Sequence, residues 1–444
     1  MNEINLKLLE EKLNLAKEFT SESLISKIKN FILNASKTEL ANINTNKLAE
    51  FLNEDKISLI KAFLNLTKLG VFNLLWVISC PTCKGSNQIT SSLKEMKHDS
   101  NCELCKINYG AGFDKNITLS FEINANILKL ENLDAREVIF SGLYLGEQNK
   151  FILKEDENIL LKNNVIAENH LLINLTEKKV INIASINPLD NDILYINYNE
   201  NIDIINIVKV KKDNFVINLT NKTNKEQEFI FTNLKNQEWS DAAFITSLQE
   251  FRDLFSDEVL DIDEAFSIQN LAFIFTDIKG STELYEKIGD SKAFFLIKEH
   301  FKILESIVKK NNGCIVKTIG DAIMAVFSVN KNALISAYEM IDAFDSFNDK
   351  NHTTNQIFIK IGIHNGSCIA VNLNDRLDYF GTSVNTAARV QGLSDGREIM
   401  LSENFFKDSF ASDFFKDKNW EINTFTTSLK GLKDNYNIFR LLKN

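Results

Sequence analysis

Apolar positions follow three different rhythms along the chain. Over residues 1–75 they recur in steps of three and four, as at Ile57, Ile60, Phe63 and Leu64, with Gly70 where a helix should end. This predicts a succession of short helices, followed by the strand-like run Val71-Phe72-Asn73-Leu74-Leu75-Trp76-Val77. Over 115–235 the rhythm becomes short apolar runs broken by Asn, Asp and Lys, as in Asn116–Leu128, Lys179–Ile186, Ile193–Tyr198 and Asn214–Leu219. That texture predicts an antiparallel β-domain, a sandwich with a structural or sensory role. Helical spacing returns at Trp239–Leu260, within a linker spanning 236–267 that is placed to couple the β-domain to the C-terminal segment.

From residue 268 the two periods alternate. Leu271–Asp277 reads as a buried strand, and Ile278-Lys279-Gly280-Ser281-Thr282-Glu283-Leu284 as a turn opening a helix. That helix carries the stripe Phe294, Ile297, Phe301, Leu304 and Val308, with the strands Cys314–Ile319, Ile323–Phe327 and Ile357–His364 beyond it. Strand, helix, hairpin, helix, strand is the ferredoxin-like βαββαβ order, which sets the first strand beside the hairpin. The whole is expected to be a multidomain α+β protein with that fold at its C-terminus.

Composition narrows the function. The fractions of 44% hydrophobic and 25% charged residues are those of a globular protein, and 444 residues is too long for one core. A net charge of −10 argues against a general nucleic-acid binder. No run of about 18 apolar residues occurs and the first residues lack a signal peptide's apolar centre, so a cytoplasmic protein without membrane contact is expected.

Two clusters carry candidate chemistry. Cys80 and Cys83, then 18 residues, then Cys102 and Cys105 form two CxxC knuckles within 76–114. Four thiolates at that spacing suit one tetrahedral structural Zn²⁺, a zinc ribbon with no open catalytic position. Cys314 and Cys368 lie in strand-like runs as core residues. Further on, Asp277 ends one apolar strand and Asp321 follows Ile-Gly at the tip of another. Brought together, the two would make an oxygen site for hard divalent cations acting on nucleotide phosphates. The N–H groups at Gly280, Ser281 and Thr282 open a helix and suit phosphate.

With these residues in view, the segment 268–444 resembles the catalytic domain of the class III nucleotidyl cyclases. The motifs are Phe-Thr-Asp-Ile-Lys-Gly-Ser-Thr, Lys-Thr-Ile-Gly-Asp-Ala and Asp-Tyr-Phe-Gly-Thr-Ser-Val-Asn-Thr-Ala-Ala-Arg, in that order. The N-terminal half, winged-helix-like over 1–75, is similar to a regulatory region found ahead of some bacterial cyclases. The resemblance implies that Asp277, Asp321 and the Ile278 carbonyl bind two Mg²⁺ or Mn²⁺ ions. It places Lys317 and Asp378 at the base-reading positions, Asn385 on the ribose, Arg389 on the transferring phosphoryl group and Lys430 on the terminal phosphates. Arg397 stands near a further phosphate-binding arginine but one residue out of register, where Glu398 aligns. The resemblance also assigns the metal aspartates to one chain and Lys317, Asp378, Asn385 and Arg389 to its partner, so a head-to-tail homodimer is expected. A lysine donating to N1 and an aspartate accepting from an exocyclic amine favour adenine. The expectation is thus an adenylate cyclase acting on ATP and regulated through the N-terminal region by an unidentified ligand or protein. Its rivals are a guanylate cyclase, a silent nucleotide-binding regulator, and a transcription factor carrying a vestigial cyclase domain. His300 and His364 read as structural.

Overall fold

The computed structural model describes residues 4–79, 86–96, 99–102, 107–110, 114–130, 150–162, 169–177, 179–185, 193–199, 208–210, 216–233, 240–261, 264–351, 356–432 and 434–443. The chain divides into two compact units, one drawn from residues up to 240 and one mainly from 241–444. Among the described residues, no helix is long and apolar enough to cross a membrane.

In the first unit, five helices span Leu6–Ala16, Glu22–Asn34, Lys37–Ala41, Thr45–Leu52 and Lys56–Lys68. Each begins at a side chain that accepts from its first turn: Asn5, Ser21, Ser36, Asn44 and Asp55. Such a cap is worth about 1 kcal/mol and explains why these short segments start where they do. Phe63 seats the last helix on the adjoining sheet by stacking on Phe72 at 4.4 Å.

The strand Phe72–Ser79 runs antiparallel to both Ser86–Thr90 and Ile117–Ile123. The residues from 117 therefore join the N-terminal sheet and not the β-domain expected from 115. Cys80, Cys83 and Cys105 lie outside the described residues, as does the side chain of Cys102.

Further along, the strands of the first unit form a sandwich. Leu172, Phe229 and Phe231 of one sheet share a core with Ile196, Ile217 and Leu219 of another. It is not purely antiparallel. Ile193–Tyr198 pairs parallel with Val216–Asn221, and Val208–Val210 parallel with Lys179–Ser185. Runs of apolar residues report strand identity but not strand direction.

The second unit opens with two short helices, α1 (Ala242–Thr246) and α2 (Gln249–Leu254), where the sequence pattern predicts one helical linker. The break falls at Ser247-Leu248, and the first strand already begins at Ala265, inside the expected linker. Then come β1 (Ala265–Ile278), α3 (Ser281–Ile288), α4 (Asp290–Lys310), β2 (Cys314–Ile319), β3 (Ala322–Phe327) and α5 (Asn330–Asn351). The chain continues with β4 (Ile359–Leu373), β5 (Arg376–Phe380), α6 (Thr382–Gln391), β6 (Glu398–Ser402), α7 (Glu403–Asp408), α8 (Ala411–Phe415), β7 (Trp420–Ser428) and β8 (Asn435–Lys443).

The sheet runs β2-β3-β1-β4-β6-β8-β7, with β5 beside β4. Its first four strands are the βαββαβ order, with β1 antiparallel to both β3 and β4. Alternation sorts the two faces of the sheet. Ile359, Ile361 and Ile363 join the core made by Ile297, Leu304 and Val308 of α4 and Leu334, Met340 and Phe344 of α5. The intervening Gly362 instead faces α6. The expected stripe on the first helix is corrected at two points. Gly289, at φ +81°, splits it into α3 and α4, and Phe294 is 59% exposed, leaving Ala293 and His300 in the buried row.

Candidate active site

Hydrogen-bonded register places the two aspartates. Asp277 is the penultimate residue of β1, and Asp321 follows Gly320, whose φ of +64° turns β2 into β3. Because β3 lies against β1, the two tips meet at one end of these strands.

The electrostatics agree with that meeting. Partial burial, and then the charge of Asp321, push the Asp277 carboxyl above the usual carboxylate range, against the pull of Lys360. Lys360 sits opposite Asp277 across the β1–β4 ladder, its Nζ 3.8 Å from Oδ2. Asp321 Oδ2 is buried and, among the described residues, has no hydrogen-bond partner. Two facing carboxylates, one with an orphaned oxygen, suit a divalent cation, and the carbonyl of Ile278 adjoins them in sequence. Among the described residues, no three His, Cys, Asp or Glu side chains group as metal ligands, so such an ion would rest on these two carboxylates and backbone oxygen. The next turn is Lys279-Gly280, with Gly280 at φ +65°, and α3 starts at Ser281 without a side-chain cap. Gly280 and Thr282 are exposed and Ser281 half-buried.

A second group forms on other strands. Lys317 of β2 pairs with Asp378 of β5 at 2.5 Å, and Asp378 is buried while Lys317 is 38% exposed. The other Asp378 oxygen accepts from the Tyr379 N–H at 2.8 Å, and Lys317 Nζ lies 5.9 Å from the centre of the Phe380 ring.

Asn385 and Arg389 stand one turn apart on α6. That helix lies close on β4: a Cβ built on Gly362 would fall 2.0 Å from the Gln391 nitrogen, and Ser383 Oγ donates to the Ser367 carbonyl at 2.7 Å. Arg389 reaches the turn holding Lys430, since a Cβ on Gly431 would sit 3.5 Å from its Nη2.

Arg397 goes elsewhere. It pairs with Asp345 at 3.0 Å beside a polar cleft of about 680 Å³ that also contains Asp342 and Lys443 and none of the residues above. Glu398, in the aligned position, is buried against Arg440.

Both histidines are held neutral by their surroundings. Burial lowers His300 to about 4 and His364 to about 4, and His364 Nδ1 bonds Ser402 Oγ at 2.7 Å. Sequence reasoning missed Lys360 beside Asp277. Its only signal is the β1–β4 register, which no local pattern contains.

Comparison with known proteins finds similarity over two stretches of the chain. Residues 264–436 match the family model of the adenylate and guanylate cyclase catalytic domain, and residues 7–183 match a family of unknown function, DUF5939. An adenylate cyclase of Anabaena cylindrica is 30% identical over 165 residues, 34% of this chain and 33% of the relative. An adenylate cyclase of Lachancea kluyveri is 34% identical over 155 residues, 31% of this chain and 8% of the relative. A receptor-type guanylate cyclase of Caenorhabditis elegans is 28% identical over 169 residues, 36% and 16% respectively. The chain thus spans a third or less of the length of these curated relatives. The crystal structure of an adenylyl cyclase from P. aeruginosa is 24% identical and covers 41% of this chain and 97% of that one, with a TM-score of 0.36. What the comparisons give is thus a match of residues 264–436 to the adenylate and guanylate cyclase catalytic domain.

Proposed function

We propose that the chain is an adenylate cyclase, converting ATP to 3′,5′-cyclic AMP and pyrophosphate at a homodimer interface. The observation that carries this reading is the meeting of Asp277 with the orphaned Asp321 oxygen inside a domain that matches the cyclase family. Asp277, Asp321 and the Ile278 carbonyl would hold two Mg²⁺ or Mn²⁺ ions. Such ions supply Lewis-acid stabilisation of the α-phosphate and make the ribose 3′-hydroxyl more acidic.

The chain's own residues do the rest. Lys317 donates to adenine N1 and Asp378 accepts from the exocyclic amine; without nucleotide they satisfy each other. Guanine, with a carbonyl and a protonated N1, would meet a donor facing a donor and is disfavoured. Asn385 orients the ribose. Arg389 and Lys430, adjacent at the α6 and Gly431 turn, stabilise charge on the phosphates, and the N–H groups from Gly280 to Thr282 cradle them. One chain brings the metal aspartates and its partner the base readers and α6, so the monomer is inactive.

The first unit regulates this activity through an unidentified ligand or protein. Cys80, Cys83, Cys102 and Cys105 hold one structural Zn²⁺ within it. Metal analysis should find one zinc per chain, and finding none contradicts that part.

The enzyme reading is tested by giving the purified chain ATP or GTP with Mg²⁺ or Mn²⁺. Cyclic AMP should exceed cyclic GMP by at least about tenfold. No cyclic product from either nucleotide contradicts the reading, and an excess of cyclic GMP moves the substrate to GTP.

A further inference from the structure

Lys317 and Asp378 form one functional pair, yet no hydrogen-bond ladder joins the strands that carry them. In the sheet β2 is separated from β4 by β3 and β1, and β5 lies beside β4. Both strands are bonded to a common neighbour. It is the helix pair α1–α2, which precedes the matched cyclase domain.

Arg252 of α2 grips the Asp378 side. Its Nε donates to the Thr246 carbonyl at 3.0 Å and Nη1 to the Leu377 carbonyl at 2.9 Å, one residue before Asp378. Its guanidinium carbon lies 5.3 Å from the centre of the Tyr379 ring, one residue after Asp378. The Tyr379 hydroxyl is in turn 2.9 Å from Thr246 Oγ1 at the end of α1. Both neighbours of Asp378 are therefore tied to this helix pair. Arg252 Nη2 is buried and, among the described residues, has no hydrogen-bond partner.

Gln249 grips the Lys317 side. Its backbone N–H donates to the Gly313 carbonyl at 3.2 Å, and its side-chain oxygen accepts from the Ile315 N–H at 2.8 Å. Ile315 lies where the β2–β3 register shifts, between Ile315 and Lys317, so the ladder itself is irregular at this point.

We propose that Arg252 and Gln249 are positioning residues for base recognition, setting the separation of Lys317 and Asp378 and with it the preference for adenine. This rests on the assignment of those two residues as base readers. A change in α1–α2 would then alter which base is accepted and how tightly, without touching the metal aspartates.

The test uses the full chain and the variants Arg252→Met, Arg252→Lys and Gln249→Met, with kcat and KM measured for ATP and GTP and Tm measured alongside. In Arg252→Met the KM for ATP should rise about tenfold with kcat little changed, and the ATP-over-GTP ratio of kcat/KM should fall about tenfold, as when a buried hydrogen bond is lost. Arg252→Lys, able to reach one carbonyl but not both, should fall between. Gln249→Met removes the Ile315 contact, together with the Nε2 bond to Asp253 at 2.8 Å within α2, and decides the matter if Arg252→Met does not fold. A purely structural role would lower Tm and reduce kcat for both nucleotides alike. Folded variants that keep the wild-type ratio overturn the proposal alone. A wild-type chain that makes no cyclic nucleotide, or prefers GTP, overturns the base-reader assignment and this inference with it.

Discussion

Asp277 shows how a site residue is recognised by what it costs. Its folded-state pKa lies above the ordinary carboxylate value because of burial and of Asp321, with Lys360 opposing. Stability from such a group is fully present below the unfolded pKa and is lost as pH rises through the folded pKa. Asp277→Asn should therefore raise the melting temperature of the metal-free protein at neutral pH, in the presence of chelator, while lowering turnover more than about a hundredfold. An Asn variant melting at or below wild type in chelator contradicts this account of the pair. His364 has the opposite sign. Burial depresses it from 6.5 to about 4, so its neutral form stabilises the fold at higher pH, and that stability is lost as pH falls from about 6.5 towards 4. Between pH 7.5 and 5 the melting temperature of wild type should fall more steeply than that of His364→Gln, which keeps a partner for Ser402. Parallel curves would show that His364 does not contribute to the slope.

At the scale of elements, the bond between chemistry and packing is α6 on β4. Gly362 has no side chain where Gln391 closes in, and that approach fixes the height of Asn385 and Arg389 above the sheet. Gly362→Ala should displace α6, costing about 1–3 kcal/mol or more. Turnover should fall further than the loss of folded protein explains, as read by thermal melting beside kcat. Full activity in a stably folded Gly362→Ala chain would contradict this coupling. The period-2 and period-3.6 patterns made β1 to β4 and the helix before Cys314 legible but not β5 to β8, and both aspartates fell at strand tips as their neighbours suggested. The features that stayed hidden have a tertiary cause. Lys360 meets Asp277 only through pairing between strands some eighty residues apart. Nothing in the helical spacing of Trp239–Leu260 marks Arg252, and its partner Leu377 lies far along the chain. The parallel pairs of the sandwich escaped for the same reason: apolar runs carry no direction. Gly289 was legible as a glycine, but the stripe that follows it from Phe294 masked the break.

For the whole molecule, the two units pose separate questions. The first, with its capped helices and mixed sandwich, matches over 7–183 a family to which no function is assigned. The second carries every candidate catalytic residue. Within it Lys317, Asp378 and the Arg389–Gly431 contact are internal to one chain, as are Asp277 and Asp321. The central claim is that one copy's aspartates act with another copy's base readers and α6. It is tested by mixing Asp277→Ala and Arg389→Ala chains, each inactive alone, under conditions where subunits exchange, and measuring cyclic AMP formed from ATP. Each mixed dimer has one intact site, so an equal mixture should recover about a quarter of wild-type activity. A mixture that remains inactive while mixed dimers are shown to form contradicts the claim.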